Sequence, residues 1–170
     1  MKKSVIFLFF VYFTNPVFSQ TISKNDKKEI KQILTDFMEC LVKKDSTKFY
    51  NLFHNDLIVW VGVTKAKSFA DEKKNDSFAV DNFSATFKEF YRMFYKIAIE
   101  EKFYNVQITE DGYIASVTFD YSFFQKNKKL NWGKESWGLI KKNGEWKIAS
   151  VLFSIEYEAI NPEPQKNNKR

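Results

Sequence analysis

Few residues of this 170-residue chain have side chains suited to catalysis. The one histidine, His54, stands two positions before Asp56 in LFHNDLIVWVGV, residues 52–63. An unperturbed imidazole titrates near pH ~6.5, so His54 could act as a general base with Asp56 orienting it. Residues i and i+2 share a face of a strand but diverge on a helix, and this stretch reads as the seam between the two. The competing reading is a helix-end histidine favoured by the local dipole. Glu135, in KESWGL (134–139), is the second candidate. Strand alternation puts it beside Trp137 and Leu139. A carboxyl group buried on such an apolar face has a raised pKa, as a general acid or base requires. The competing reading is a surface glutamate paired with a cross-strand lysine. Asp120 shares its face with Ser116, Thr118 and Ser122 and reads as facing solvent or a partner.

Other chemistries have little material. No nucleophile–histidine–acid set is visible. Only five glycines are present and none cluster, which excludes a phosphate loop. One histidine and one cysteine argue against a metal site, so neither metal nor cofactor is expected. Cys40 lies beside Phe37 and Leu41 in a helical pattern and reads as a small buried hydrophobe. The formal charge is +6, but only Arg92 and Arg170 are arginines and the lysines are scattered. Nucleic-acid readers use arginine forks on a concentrated basic face, so a nucleic-acid partner is not expected.

These candidates must be positioned by an exported domain. Lys2 and Lys3 precede an apolar run, Val5–Phe13, followed by Asn15-Pro16 and Val17-Phe18-Ser19. That order is the signature of a secretory signal peptide, residues 1–19, and the run is too short to span a bilayer. Loss of Lys2 and Lys3 lowers the charge from +6 to +4. The expectation is a periplasmic or secreted protein with no membrane segment after cleavage. It would have a single domain over 20–160 and a polar, basic tail over 161–170.

Within that domain, Asn25 or Asp26 can cap a helix whose face is Ile30, Ile33, Leu34, Phe37, Met38, Leu41 and Val42. Asp45-Ser46 can cap a short second helix over 48–53. Leu57–Val63 reads as a buried strand. Residues 64–80 are polar, lysine-rich and without firm period, a long loop unless they hide a short strand. A third helix, from Asp81, carries an aromatic stripe including Phe83, Phe87, Phe90, Tyr91 and Phe94. Four strands follow, over 104–109, 113–124, 130–141 and 145–157. Asp111-Gly112 and Asn143-Gly144 make tight hairpins, and 125–129 reads as a longer turn. The sum is an α+β fold: a curved antiparallel sheet wrapped by N-terminal and central helices.

NGEWKIASVLFS (143–154) resembles the last strand of the nuclear transport factor 2-like superfamily in its SnoaL-like branch. ITEDGYIASVTFDYSF (108–123) resembles the strand pair before it, and LFHNDLIVWVGV the passage from second helix to first strand. The resemblance covers about residues 26–157 and implies a cone, a curved sheet closed by helices with a hollow at its wide end. Its members include isomerases, dehydratases, cyclases and non-enzymatic binding domains, so fold does not decide function. The isomerase branch keeps an aspartate base on the first strand, where this chain has Val59-Trp60-Val61-Gly62. Many relatives carry histidines on the last strand, where this chain has Ser150 and Leu152. The resulting expectation is an apolar or aromatic small molecule bound by Trp60, Phe94, Tyr121, Glu135, Trp137 and Trp146, in a protein that forms a homodimer. The alternative is a cofactor-independent acid–base enzyme of isomerase, dehydratase or cyclase type, using Glu135, His54 or Asp56.

Overall fold

The computed structural model describes residues 18–55 and 57–164. Residues 1–17 of the expected signal peptide, and Asp56, therefore lie outside the described residues. Helix α1 (Phe18–Lys43) and helix α2 (Ser46–Asn51) come first, then strand β1 (Val59–Thr64), helix α3 (Ala66–Asn75), strand β2 (Asn82–Ser84) and helix α4 (Phe87–Phe94). Four long strands complete the domain: β3 (Ile99–Glu110), β4 (Ile114–Gln125), β5 (Lys128–Lys142) and β6 (Glu145–Tyr157). They form one open six-stranded sheet in the order β2-β1-β6-β5-β4-β3.

The sheet is mixed rather than wholly antiparallel. The β3–β6 meander is antiparallel, but β1 runs parallel to β6, with Trp60 opposite Val151. The reason is connectivity. Three helices and β2 lie between β1 and the meander, long enough for β1 to be placed in either direction, whereas tight hairpins force their strands to reverse. Register shifts in β3 (104/107), β4 (123/124) and β5 (138/139) interrupt the ladders. Such irregularities bend a strand and increase its twist. All three β3–β6 links are tight. Asn143 and Gly144 have positive φ, and so do Lys126 and Asn127. The expected longer turn at 125–129 is thus a two-residue loop with both central residues left-handed.

Three other expectations are corrected. Helix α1 begins at Phe18, ahead of Asn25 and Asp26. Asp26 is not a cap: it is 1 % exposed and accepts hydrogen bonds from Lys141 Nζ and, at 3.1 Å, from Trp146 Nε1. The segment 64–80 is not a plain loop but contains α3. Tertiary anchoring outweighs its weak pattern: the Glu156 carboxylate, 4 % exposed, accepts from Ser68 Oγ (2.6 Å) and Ser68 N (3.2 Å), and Ser68 Oγ accepts from Tyr157 N (2.8 Å). Helix α4 starts at Phe87, not Asp81. Thr86 Oγ1 accepts from Glu89 N (3.1 Å) and the Glu89 carboxylate accepts from Thr86 N (2.8 Å), a reciprocal capping box that fixes the start. The Asp45 cap on α2 is present, its carboxylate accepting from Lys48 N at 2.9 Å.

The core lies between the helices and the inner face of the sheet. Phe37 of α1 packs on Phe49 of α2, Trp60 of β1 and Trp137 of β5, with ring centroids 5.2, 6.5 and 5.0 Å away. Phe119 meets Trp137 edge-on at 5.3 Å. Tilted and edge-on pairs of this kind add about 0.5–1.5 kcal/mol each beyond their burial, so the aromatic cluster is a principal source of stability here. Cys40 is fully buried, and that burial pushes its thiol up to about 11, which makes it unreactive packing.

Candidate functional site

Inner-face residues of β3, β4 and β5 build the floor of a cavity of about 200 Å³. On β3, Ile99, Glu101 and Phe103 alternate inward; on β4, Phe119, Tyr121 and Phe123; on β5, Asn131, Gly133, Glu135 and Trp137. The register sets Glu101 opposite Phe123 and Glu135 opposite Phe119, with Tyr121 on the strand between. The two carboxyl groups thus approach each other across Tyr121 and are in hydrogen-bond contact. Trp60, Phe90, Phe94 and Phe153 supply aromatic wall, and the exposed Phe83 and Met93 stand at the rim. The lining contains no lysine, arginine or histidine.

Two glycines make this geometry possible. A Cβ on Gly133 would lie 1.8 Å from the carbonyl oxygen of Ser154. Only glycine permits β6 to approach there, and Tyr121 uses the opening: its hydroxyl donates to that same carbonyl at 2.9 Å. The phenol proton is therefore committed to the backbone rather than offered to the cavity, and desolvation raises the Tyr121 pKa well above its ordinary range. A Cβ on Gly62 would fall 2.6 Å from the Phe83 ring and 2.8 Å from that of Phe153. Its absence lets those two rings meet edge-on, centroids 5.6 Å apart, beside the cavity.

The electrostatics follow from burial without a cation. Glu135 is 6 % exposed and its carboxylate accepts from Trp137 Nε1 at 2.6 Å. Desolvation pushes its pKa up to about 7, against the lowering effect of the hydrogen bonds from Trp137 and Glu101. Glu101 is raised well above the carboxylate range, by desolvation first and then by the Glu135 charge. The two titrate as a unit. In the form that follows from these contacts Glu101 keeps a proton and donates it to Glu135, which already accepts from an indole and is the better seat for the negative charge.

The sequence candidates divide accordingly. Trp60, Phe94, Tyr121 and Glu135 line the cavity. Trp137 lies beneath it, fully buried, holding Glu135. Trp146 is away from the lining, donating to Asp26 with the Lys141 ammonium 5.5 Å over its ring. His54 does not line the cavity either. It sits in a surface depression with Tyr50, Asn51 and the β5–β6 turn, its backbone N–H donating to Ile148 O (2.9 Å), and its Nδ1 is buried without a partner among the described residues. Asp56 is outside the described residues. Asp120 is on the outer face, bound by Asn105 Nδ2 (2.6 Å) and Lys134 Nζ (3.0 Å). Glu101 is the residue that sequence reasoning missed. A strand start at Tyr104 left Glu100-Glu101 unassigned, yet the step from Glu101 to Phe103 was a usable signal of an inward carboxylate.

A sheet meander packed against N-terminal helices, with a hollow lined from the inner strand face, matches solved structures of known class. One is a protein of unknown function with a cystatin-like fold from Nostoc punctiforme: TM-score 0.56, 16 % identity, 78 % of this chain and 92 % of that one covered. A second is a nuclear transport factor 2-like protein of unknown function from Pseudomonas putida (0.59; 11 %; 86 % and 98 %). A third is a nuclear transport factor 2-like protein with a cystatin-like fold from Novosphingobium aromaticivorans (0.61; 10 %; 85 % and 92 %). This chain has the nuclear transport factor 2-like fold. No family model matches the sequence, and no curated protein matches it. At these identities the likeness concerns the nuclear transport factor 2-like architecture alone, and the carboxylate pair is a property of this chain's own residues.

Proposed function

We propose that this nuclear transport factor 2-like domain binds a small, mostly apolar molecule in the aromatic cavity and grips its polar group with Glu101 and Glu135. The observation that carries the reading is the carboxyl pair itself. Burying two ionisable groups among aromatic rings costs free energy unless something uses them, and a concave apolar site with a few convergent polar groups is what small-molecule recognition requires. The test is a fragment screen by ligand-observed NMR on the intact protein, with a bulky Phe94→Trp variant as control. Fragments should bind the wild type and be displaced or weakened by the variant; no binding from a broad aromatic set would refute the reading.

A second reading, acid–base catalysis on that molecule, is favoured by one specific fact: Glu135 is held to about 7, where a carboxyl group can both take and give a proton near neutrality. His54 has no part in this version, being outside the cavity lining. Exchange of a bound ligand's acidic C–H with solvent deuterium, abolished in Glu135→Gln, would support it; exchange that persists in that variant would count against it.

Export remains part of the proposal, supported by the order of the N-terminal residues. So does homodimerisation, for which the support is an exposed apolar row on the outer sheet face, Val59, Val63 and Leu152. Sedimentation velocity on the wild type and on Leu152→Lys tests the latter.

A further inference from the structure

We propose that the molecule taken by this cavity is a small organic cation, an ammonium group on an aromatic or branched aliphatic body, with its nitrogen seated at Glu101 and Glu135. The inference rests on the cavity being a ligand site and adds the ligand's charge.

The sign of the site is one-sided. Its lining offers two carboxyl groups and not a single basic side chain. Elsewhere the chain neutralises carboxylates that are buried or half-buried: Asp26 has Lys141, Asp120 has Lys134 and Glu163 has Lys129. Buried Glu156 has no lysine but receives two donors from Ser68. Glu101 and Glu135 have each other, one indole N–H and open space. A pair of acids so placed is short of positive charge, and the empty volume lies where that charge would go.

The walls fit the same occupant. Trp60, Phe90, Phe94 and Phe153 surround the space with π faces, and ring faces attract cations, ammonium groups included. An anion would meet both the acids and the rings' negative faces. A neutral alcohol could hydrogen-bond to the pair but would gain nothing from the rings beyond apolar contact. The volume of about 200 Å³ suits a body of one ring with a short side arm. The proton balance is definite. The free pair carries one proton and one negative charge; when the ammonium sits between them, both carboxyl groups ionise, and the displaced proton leaves to solvent.

Isothermal titration calorimetry on the intact protein can test this with three probes of one skeleton, phenethylamine, phenethyl alcohol and phenylacetate. The expected order is amine, then alcohol, then acid, with the amine at least about tenfold tighter than the alcohol. Repeating the amine titration in buffers of different ionisation enthalpy should reveal proton release approaching one per site near neutrality. Glu101→Gln and Glu135→Gln should each bring the amine down to the alcohol's level while alcohol binding persists. Should one variant fail to fold, the other variant and the wild-type proton release still decide. An alcohol that binds as tightly as the amine, an amine preference that survives both substitutions, or an absence of proton release would overturn the cation and leave the cavity reading standing. Failure of all three probes, together with a blank fragment screen, would overturn both.

Discussion

A glutamate that ionises near 4.5 when unfolded, but keeps its proton up to about 7 when folded, ties stability to pH. Between those values the unfolded chain has released a proton that the native state still holds, so raising the pH favours unfolding. Glu101, shifted in the same direction, carries the effect further into the alkaline range. Asp26 works the opposite way. The Lys141 hydrogen bond holds its carboxyl below the ordinary range, so its contribution is lost only as the pH falls into acid. The urea midpoint should therefore decline from pH about 5 to about 8, with a slope of up to about 1.4 kcal/mol per pH unit for one proton. Equilibrium urea unfolding at several pH values checks this, and Glu101→Gln or Glu135→Gln should flatten the decline. Trp137→Phe removes the one indole donor to Glu135. It should cost about 1–3 kcal/mol and push the Glu135 titration higher still, measurable by the same experiment and by carboxyl carbon NMR.

At the scale of elements, the least replaceable residue is Gly133. Any Cβ there meets the Ser154 carbonyl at 1.8 Å, an immovable backbone atom, so Gly133→Ala should unfold the protein or cost several kcal/mol, whereas Gly138→Ala meets only the Ser150 hydroxyl at 2.5 Å and should cost less. Thermal melts of the two variants compare them directly. Helix α3 depends on one side chain, and Ser68→Ala leaves buried Glu156 without its donors. A loss of about 1–3 kcal/mol and early amide exchange over 66–75 are expected. That dependence also explains what could be read in advance. The β4–β6 strands were legible because alternation and Gly-containing hairpins are local signals. The α2 cap was legible for the same reason, since Asp45 lies three residues from its partner. Helix α3 was not, because its stabilising contact reaches 88 residues along the chain. The cavity was half legible: Trp60, Phe94, Tyr121 and Glu135 could be named from face alternation, but the pairing of Glu135 with Glu101 depends on the β3–β4–β5 register, which no local pattern encodes.

For the molecule as a whole, the chain after β6 is part of the domain through residue 164. Trp132 Nε1 donates to the Asn161 carbonyl (2.9 Å), and the Glu163 carboxylate accepts from Ser122 Oγ (2.6 Å), Lys129 Nζ (3.0 Å) and the Tyr104 hydroxyl. Ser122, on the outer face, is only 5 % exposed, so that face is partly roofed rather than simply wet. Glu163→Ala should lower the melting temperature by several degrees while leaving cavity binding intact. Mass spectrometry of the protein recovered from an exporting host should show a chain beginning at Gln20 if residues 1–19 are a leader.

The Trp137–Glu135 hydrogen bond also has a spectroscopic use. An indole N–H feels whether its acceptor is a carboxylate or a carboxylic acid, and this one touches the pair directly. The Trp137 side-chain resonance in a nitrogen-15 spectrum should move with pH as the pair loses its proton, and move again when a ligand displaces that proton. The fold thus carries its own reporter beneath the cavity floor, and occupancy can be followed without a label, a dye or any knowledge of the reaction.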